Sequence, residues 1–155
     1  MVGLLAGRSL ALADDALLEL GLGLFLMDVG KLALPPAIVE KHGPLDEAEC
    51  ELMRRHPRYG LDLLRDEDLG PEARTVVRFH HERWDGAGYP AGLAGEEIPR
   101  FARIAALADA FAAEASQAAG LAVLHAGAGR AFDPELVEAF EEVATARSAG
   151  LALTA

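Results

Sequence analysis

The residues with the clearest chemical potential are two adjacent histidines, His80 and His81, which end an apolar run and precede a glycine-rich loop closed by Pro90. Imidazole nitrogens are the commonest protein ligands for divalent transition metals. Neighbouring residues on an α-helix point about 100° apart, so both histidines reach one ion only at a helix end or in a distorted last turn. Gly86 and Gly88 mark turns that supply such an end. A surface histidine pair without a ligand role is the ordinary alternative for an isolated pair.

The complete stretch that starts at His80 resembles the signature of the HD-GYP family. It reads His-His-Glu-Arg-Trp-Asp-Gly-Ala-Gly-Tyr-Pro, and so many fixed positions rarely agree by chance. Members of that family are metal-dependent phosphodiesterases of bacterial signalling, and their usual substrate is cyclic di-GMP. The resemblance implies an all-α, HD-domain-like bundle of six to seven helices. We expect a single domain over residues 1–155, short at its N-terminus, with a frayed tail at 148–155.

The family name joins Gly-Tyr-Pro to an upstream His-Asp pair, and this pair is altered here. Around Asp28 the chain reads Phe-Leu-Met-Asp-Val-Gly-Lys, which resembles the family's Leu-His-Asp-Ile-Gly-Lys. Met27 takes the place of the metal-binding histidine. A thioether is a soft, weak ligand and a poor substitute for imidazole on Mn, Fe or Mg. Because no histidine precedes His42, a further family histidine, one helix before the pair, also has no counterpart.

Two further metal ligands are implied by the same resemblance. His56 opens His-Pro-Arg-Tyr-Gly and matches the family's His-Pro-x-x-Gly, whose histidine binds metal. Without that match, a histidine before proline would be interpreted as a cap or surface residue. Asp109 lies in Ala-Asp-Ala-Phe and matches the family's Ala-Asp-x-Phe-Asp, although an aspartate beside an apolar stripe usually faces solvent. The implied ligand set is Asp28, His56, His80, His81 and Asp109.

The resemblance also implies which residues contact substrate. Lys31 is expected to hold a phosphate oxygen and, with Asp28, to serve catalysis. The substrate contacts that the resemblance implies after the histidine pair are Arg83, Asp85, Gly88, Tyr89 and Pro90. The family's Asp-Arg-Pro-Tyr-Arg segment, whose basic residues contact substrate phosphate, is replaced at 113–120 by Ala-Glu-Ala-Ser-Gln-Ala-Ala-Gly, which carries no cation.

Three functions follow from this incomplete set. Asp28 with the three histidines is sufficient for a single divalent ion such as Fe or Mn, whereas the neighbouring metal position keeps only carboxylates and should be empty or weak. We expect a degenerate HD-GYP domain with weak or no phosphodiesterase activity, which works by protein contacts or by binding a nucleotide without turnover. The alternative is an active phosphodiesterase that hydrolyses cyclic di-GMP, or a related cyclic dinucleotide, with a metal-activated water. A helical scaffold without ligand is the third possibility.

Composition narrows the class and the partners. The 155 residues carry a formal charge of −11, which argues against a nucleic-acid polymer or an anionic membrane as partner. Apolar residues make up 52%, with few aromatics, which favours helices. The single cysteine, Cys50, fits a reducing cytoplasm, and the most apolar run, residues 16–27, is too short to span a bilayer. We expect a cytoplasmic domain whose protein partner, where it has one, is a signalling protein or a second copy.

Helix signals show which elements must position these residues. The second helix, Ala16–Asp28, is apolar nearly all round, so we expect it to be the buried central element. Its Gly21 and Gly23 suggest close packing against a neighbour. The other helices are predicted from caps, prolines and periodicity at 1–12, 46–55, 57–65, 71–80, from Pro99 past Phe111, and at 134–147, where Asp133 provides the cap.

Overall fold

The structure, a computed structural model, describes residues 12–148. In that range the chain is helical, with eight α-helices, two 3₁₀ segments and no β-strand beyond two isolated bridges. Seven of the eight α-helices have seven residues or more, so the predicted all-α bundle of six to seven helices is confirmed. The helices are α1 (Asp14–Leu26), α2 (Pro36–Val39), α3 (Glu47–Met53), α4 (His56–Leu63), α5 (Pro71–Phe79), α6 (Arg100–Ala112), α7 (Gln117–Gly127) and α8 (Pro134–Ser148), and the 3₁₀ segments are Val29–Ala33 and Gly95–Glu97.

Among the residues whose burial the structure describes, helix α6, not α1, buries the most side chains. It buries six residues: Phe101, Ala102, Ile104, Ala105, Leu107 and Ala108. The prediction that α1 is the buried central element was wrong, because α1 buries only Leu20 and Gly23. Leu18 and Phe25 on its other side are 65% and 84% exposed. A helix that is apolar all round does not reveal which of its faces the neighbouring helices cover.

The contact between α1 and α5 fixes the helix that delivers the two histidines. A Cβ added to Gly23 would lie 2.6 Å from Cβ of Val76, so the predicted close packing at Gly23 is confirmed. Glu19 of α1 accepts hydrogen bonds from the backbone N–H groups of Glu72 (2.7 Å) and Ala73 (3.3 Å). The carboxylate therefore caps the N-terminus of α5, where a negative charge is favourable.

A second backbone contact joins the Val29–Ala33 segment to α4. A Cβ added to Gly30 would lie 1.9 Å from the carbonyl oxygen of His56 and 2.5 Å from the nitrogen of Gly60. Only glycine allows this approach. Because Asp28 directly precedes this segment and His56 begins α4, the contact brings these two residues together.

Two predicted caps are confirmed, and two helices, the four-residue α2 and the longer α7, were missed. Asp46 and Glu49 form a capping box at the start of α3, and Asp133 accepts from the N–H of Glu135 (3.0 Å) at the start of α8. Helix α7 was not predicted; its cap, Ser116, accepts from the N–H of Ala119 at 3.2 Å.

The helix predicted at 1–12 and the tail at 148–155 fall almost entirely outside the residues that the structure describes. Within the described part of the chain, no helix combines the length and the hydropathy that a bilayer crossing requires.

Candidate metal centre

Four side chains meet where α1 ends, α4 begins and α5 ends. Asp28, His56, His80 and His81 each offer one ligand atom, and these atoms all lie within 4.8 Å of one another. His80 is the C-cap of α5, so the adjacent histidines lie at a helix end, as the sequence predicted. We call these four residues the tetrad.

Hydrogen bonds orient two of the imidazoles. Nδ1 of His56 lies 2.8 Å from the carbonyl oxygen of Met53, and Nδ1 of His80 lies 3.0 Å from that of Val76. A carbonyl oxygen only accepts, so both Nδ1 atoms carry the proton and both Nε2 atoms present a lone pair. These two Nε2 atoms are 3.2 Å apart. Facing lone pairs at this distance repel each other unless a cation lies between them.

The donor set fits a divalent metal ion. Oδ1 of Asp28 is 3.4 Å from Nε2 of His56 and 3.9 Å from Nε2 of His80, so a carboxylate completes the imidazole group. Imidazole nitrogens with one carboxylate suit ions such as Fe, Mn or Zn. The Nδ1–H to carbonyl bonds are the outer contacts that metal-bound histidines normally make. The residues present therefore satisfy both the inner and the outer requirements of a metal site.

Burial keeps the three histidines neutral, which is the form that binds metal. It lowers the pKa of His56, and it lowers the pKa of His80 to about 4 and that of His81 to about 3, with neighbouring imidazoles adding to the effect. No proton needs to leave these imidazoles at neutral pH before an ion binds.

We predict that the metal-free protein loses stability between pH 7.5 and 5.5. The histidine pKa values are near 6.5 in the unfolded chain and lower in the folded one. Below pH 6.5 the unfolded state therefore binds more protons than the folded state. The free energy of unfolding should decrease by about 1 kcal/mol or more as the pH is lowered from 7.5 to 5.5. Urea unfolding with a chelator at the two pH values measures it. A His80→Asn variant should lose less stability over the same pH range. Equal stability of the native chain at both pH values would contradict the conclusion that the buried histidines are neutral.

Asp28 is held ionised by Lys31. Burial raises the pKa of Asp28, but the Lys31 ammonium, with Nζ 2.7 Å from Oδ2, lowers it below its ordinary value overall. Lys31 is thus paired with a tetrad carboxylate, and its contact with a phosphate stays a prediction.

Asp109 has its pKa raised by burial and lines a cleft beside His80. It lies outside the tetrad, so its role as a ligand also stays a prediction.

The glycine-rich loop contacts the tetrad at Tyr89, which packs against His81. Its backbone N–H donates to the carbonyl of His81 at 3.2 Å, and its ring stacks on that imidazole with 4.8 Å between centroids and 26° between planes. Burial raises the pKa of the Tyr89 phenol to about 12, so it stays protonated at neutral pH. The glycine-rich loop therefore packs against the His81 side of the tetrad.

A buried carboxylate that sequence reasoning missed holds this loop in place. Glu82 is 3% exposed and accepts from the backbone N–H groups of Ala91 (2.6 Å) and Leu93 (3.0 Å). These bonds close the loop around Tyr89 and Pro90. The sequence shows only that Glu82 directly follows the two histidines. An acid on the protein surface could stand at the same place, so the sequence does not indicate that Glu82 is buried.

The predicted substrate contacts divide into two groups. Arg83 donates to Asp85 from Nε (3.0 Å) and Nη2 (2.6 Å), so these two residues neutralise each other. Gly88 lies against the backbone, since an added Cβ would be 2.4 Å from the nitrogen of Arg83. Arg83, Gly88 and Tyr89 line the cleft, whereas Asp85 and Pro90 are exposed. Each of these five residues stays a predicted substrate contact.

An open cleft of about 340 Å³ adjoins the tetrad. This volume lies at the lower end of the range of small-molecule sites. Its walls come from the end of α3, the glycine-rich loop, α6 and the turn before α8: Arg54, His80, His81, Glu82, Arg83, Ala87, Gly88, Tyr89, Ala106, Asp109, Ala110, Ala131 and Phe132. A ligand in this cleft would lie directly beside His80 and His81 of the tetrad.

Residues 4–136 match the model of the HD domain family, so the chain belongs to that family. Together with its relatives, the glycine-rich signature assigns it to the HD-GYP group within the family. It is 41% identical, over 87% of its length, to the cyclic di-GMP phosphodiesterase response regulator RpfG of Xanthomonas campestris. It is 40% identical, over 73% of its length, to the 3'3'-cGAMP-specific phosphodiesterase 2 of Vibrio cholerae.

The fold has a solved counterpart. The structure of a cyclic GMP-AMP specific phosphodiesterase of Vibrio cholerae, V-cGAP3, covers 99% of this chain with a TM-score of 0.76 and 26% identity. The chain spans 39% of the length of RpfG, 24% of phosphodiesterase 2 and 44% of the V-cGAP3 chain. The recognition made from the signature is thus confirmed at the level of family and fold.

Proposed function

We propose that this chain is an HD-GYP domain of cyclic-dinucleotide signalling that holds one divalent ion, binds cyclic di-GMP or a related cyclic dinucleotide, and has weak or no phosphodiesterase activity. The observation that carries the proposal is the tetrad, in which two Nε2 lone pairs face each other at 3.2 Å beside an open cleft. Without turnover, the output of binding would pass through contacts with a signalling protein or with a second copy.

The ligand class is supported by the relatives. They are named for phosphodiester hydrolysis of cyclic di-GMP or 3'3'-cGAMP, and both are cyclic dinucleotides. The tetrad lies at the wall of the cleft, so a phosphodiester bound there would meet the metal centre. When bound, a divalent ion supplies Lewis-acid polarisation of a phosphodiester oxygen. Tyr89 and His81 give the cleft an aromatic wall on which a nucleobase could stack.

Weak turnover is supported by two changes in this chain's own residues. Met27 packs its thioether against the hydrophobic core instead of offering an imidazole. The segment 113–120 carries no cation that could contact a phosphate. Removing one stabilising group from an active site commonly costs about a hundred- to a thousandfold in rate, and two such groups are missing here. The pairing of Lys31 with Asp28 further reduces the free positive charge.

A functioning, slow phosphodiesterase is the second candidate. The observation that favours it is the position of Asp109, which lines the same cleft as His80 and His81 and could hold a second ion together with Asp28. Burial raises the pKa of Asp109, and a cation nearby would lower it again.

Metal content and turnover together distinguish these candidates. We expect elemental analysis to give about one Fe or Mn per chain, with little product from cyclic di-GMP, because only the tetrad has a full ligand set. Two ions with steady product formation would support the active enzyme. No metal with no turnover would contradict both and leave a helical scaffold. A His56→Ala variant is the matched control and should lose the ion.

A further inference from the structure

A cyclic dinucleotide bound in the cleft beside the tetrad needs more positive charge than one metal ion, Arg83 and Lys31 supply. A cyclic dinucleotide carries two phosphodiesters, and the chain has a formal charge of −11. Only one phosphate can lie at a single metal centre. Arg83 lines the cleft but is neutralised by its two bonds to Asp85. Lys31 is held by Asp28 at 2.7 Å. The second phosphate therefore requires another cation.

Arg54 provides that cation at the mouth of the cleft. It lies at the end of α3, two residues before His56, and its side chain is exposed and lines the cleft. Within residues 12–148, no carboxylate lies within ion-pair distance of its guanidinium. The group instead rests over the ring of Tyr89, 5.8 Å from the centroid. A neutral ring positions an arginine without cancelling its charge.

The position of Arg54 is defined by contacts that lead back to the tetrad. The Tyr89 ring beneath Arg54 stacks on His81. The carbonyl of the preceding residue, Met53, accepts from Nδ1 of His56. The guanidinium thus lies over the Tyr89 ring and lines the same cleft as His80 and His81. Its planar fork suits bidentate binding of a phosphate.

We propose, on the basis of the proposed function, that Arg54 binds the second phosphate of a cyclic dinucleotide whose first phosphate lies at the tetrad. Arg54 takes over part of the role of the basic segment that 113–120 lacks. It is a binding and specificity residue, which favours ligands with two phosphates over ligands with one.

Calorimetry on the metal-loaded protein tests this with cyclic di-GMP as the probe. Arg54→Ala should raise the Kd about tenfold or more, because a charge-assisted contact is lost. Arg54→Lys should recover part of the affinity, since it keeps the charge but not the fork. Added salt should weaken cyclic di-GMP binding less in Arg54→Ala than in the native protein, because salt screens an exposed ion pair that the variant lacks. Arg58→Ala, which removes an exposed arginine of α4 outside the cleft, should change nothing.

Two further measurements separate the possible failures. GMP carries one phosphate, so native protein and Arg54→Ala should bind it equally, and both should bind Mn with equal affinity. A Kd for cyclic di-GMP that is the same in native protein and Arg54→Ala, or an equal loss for GMP, would overturn the role of Arg54 alone. A native, metal-loaded protein that binds no cyclic di-GMP would overturn the proposed function, and this inference with it.

Discussion

Replacing Met27 by histidine is expected to raise the metal content above one ion per chain and to raise turnover of cyclic di-GMP about a hundred- to a thousandfold. The new imidazole would stand next to Asp28, where the HD-GYP pattern has its histidine. With Asp28 and Asp109 it would give the second metal position a nitrogen ligand that the thioether does not provide. Parallel elemental analysis and hydrolysis assays on the two proteins measure both effects.

The backbone at Met27 accepts this change without strain. Met27 caps α1 with φ −55° and ψ −32°, a right-handed helical conformation that histidine adopts without strain. Its thioether packs against the hydrophobic core, so losing that contact should cost about 1–2 kcal/mol of stability. Met27→Leu is the matched control, since it keeps the packing and adds no ligand. Unchanged metal content and activity in Met27→His would show that this position does not limit the site.

The residues that lead to the tetrad could be predicted because short, local signals determine them. An acid followed three residues later by glutamate predicts the capping box at Asp46. Adjacent histidines before glycines predict a helix end, and the structure places His80 at one. The convergence of His56 on the pair required the family resemblance, because 24 residues separate His56 from His80 in the sequence.

What the sequence did not predict depends on distant contacts. Helix α7 contains Gly120, which disfavours a helix, yet this glycine lets the backbone lie against the Phe111 ring, where an added Cβ would be 2.6 Å away. Glu19 caps another helix 53 residues away, and Glu82 closes a loop, but each looks like an ordinary acid. The exposed side of α1 was missed because hydrophobicity on every face does not identify the covered one.

Replacing Gly30 by alanine is expected to cost about 3 kcal/mol of stability and to weaken metal binding at least tenfold. The added Cβ would lie 1.9 Å from the carbonyl oxygen of His56 and 2.5 Å from the nitrogen of Gly60. Both obstacles are backbone atoms, so no side-chain rotation relieves the clash. The Val29–Ala33 segment must move away from α4. Urea unfolding of the metal-free protein and Mn titration measure the two effects.

The coupling of the two effects follows from where Gly30 lies. Oδ1 of Asp28 is only 3.4 Å from Nε2 of His56, and the close approach at Gly30 sets the distance between the backbones that carry them. A shift of 1–2 Å would take the carboxylate out of reach of an ion held by the histidines. Gly43→Ala is the matched control: nothing lies within 4 Å of its added Cβ, so stability and Mn affinity should stay the same. If Gly30→Ala lost stability but bound Mn as the native protein does, Asp28 would not be a ligand of the ion.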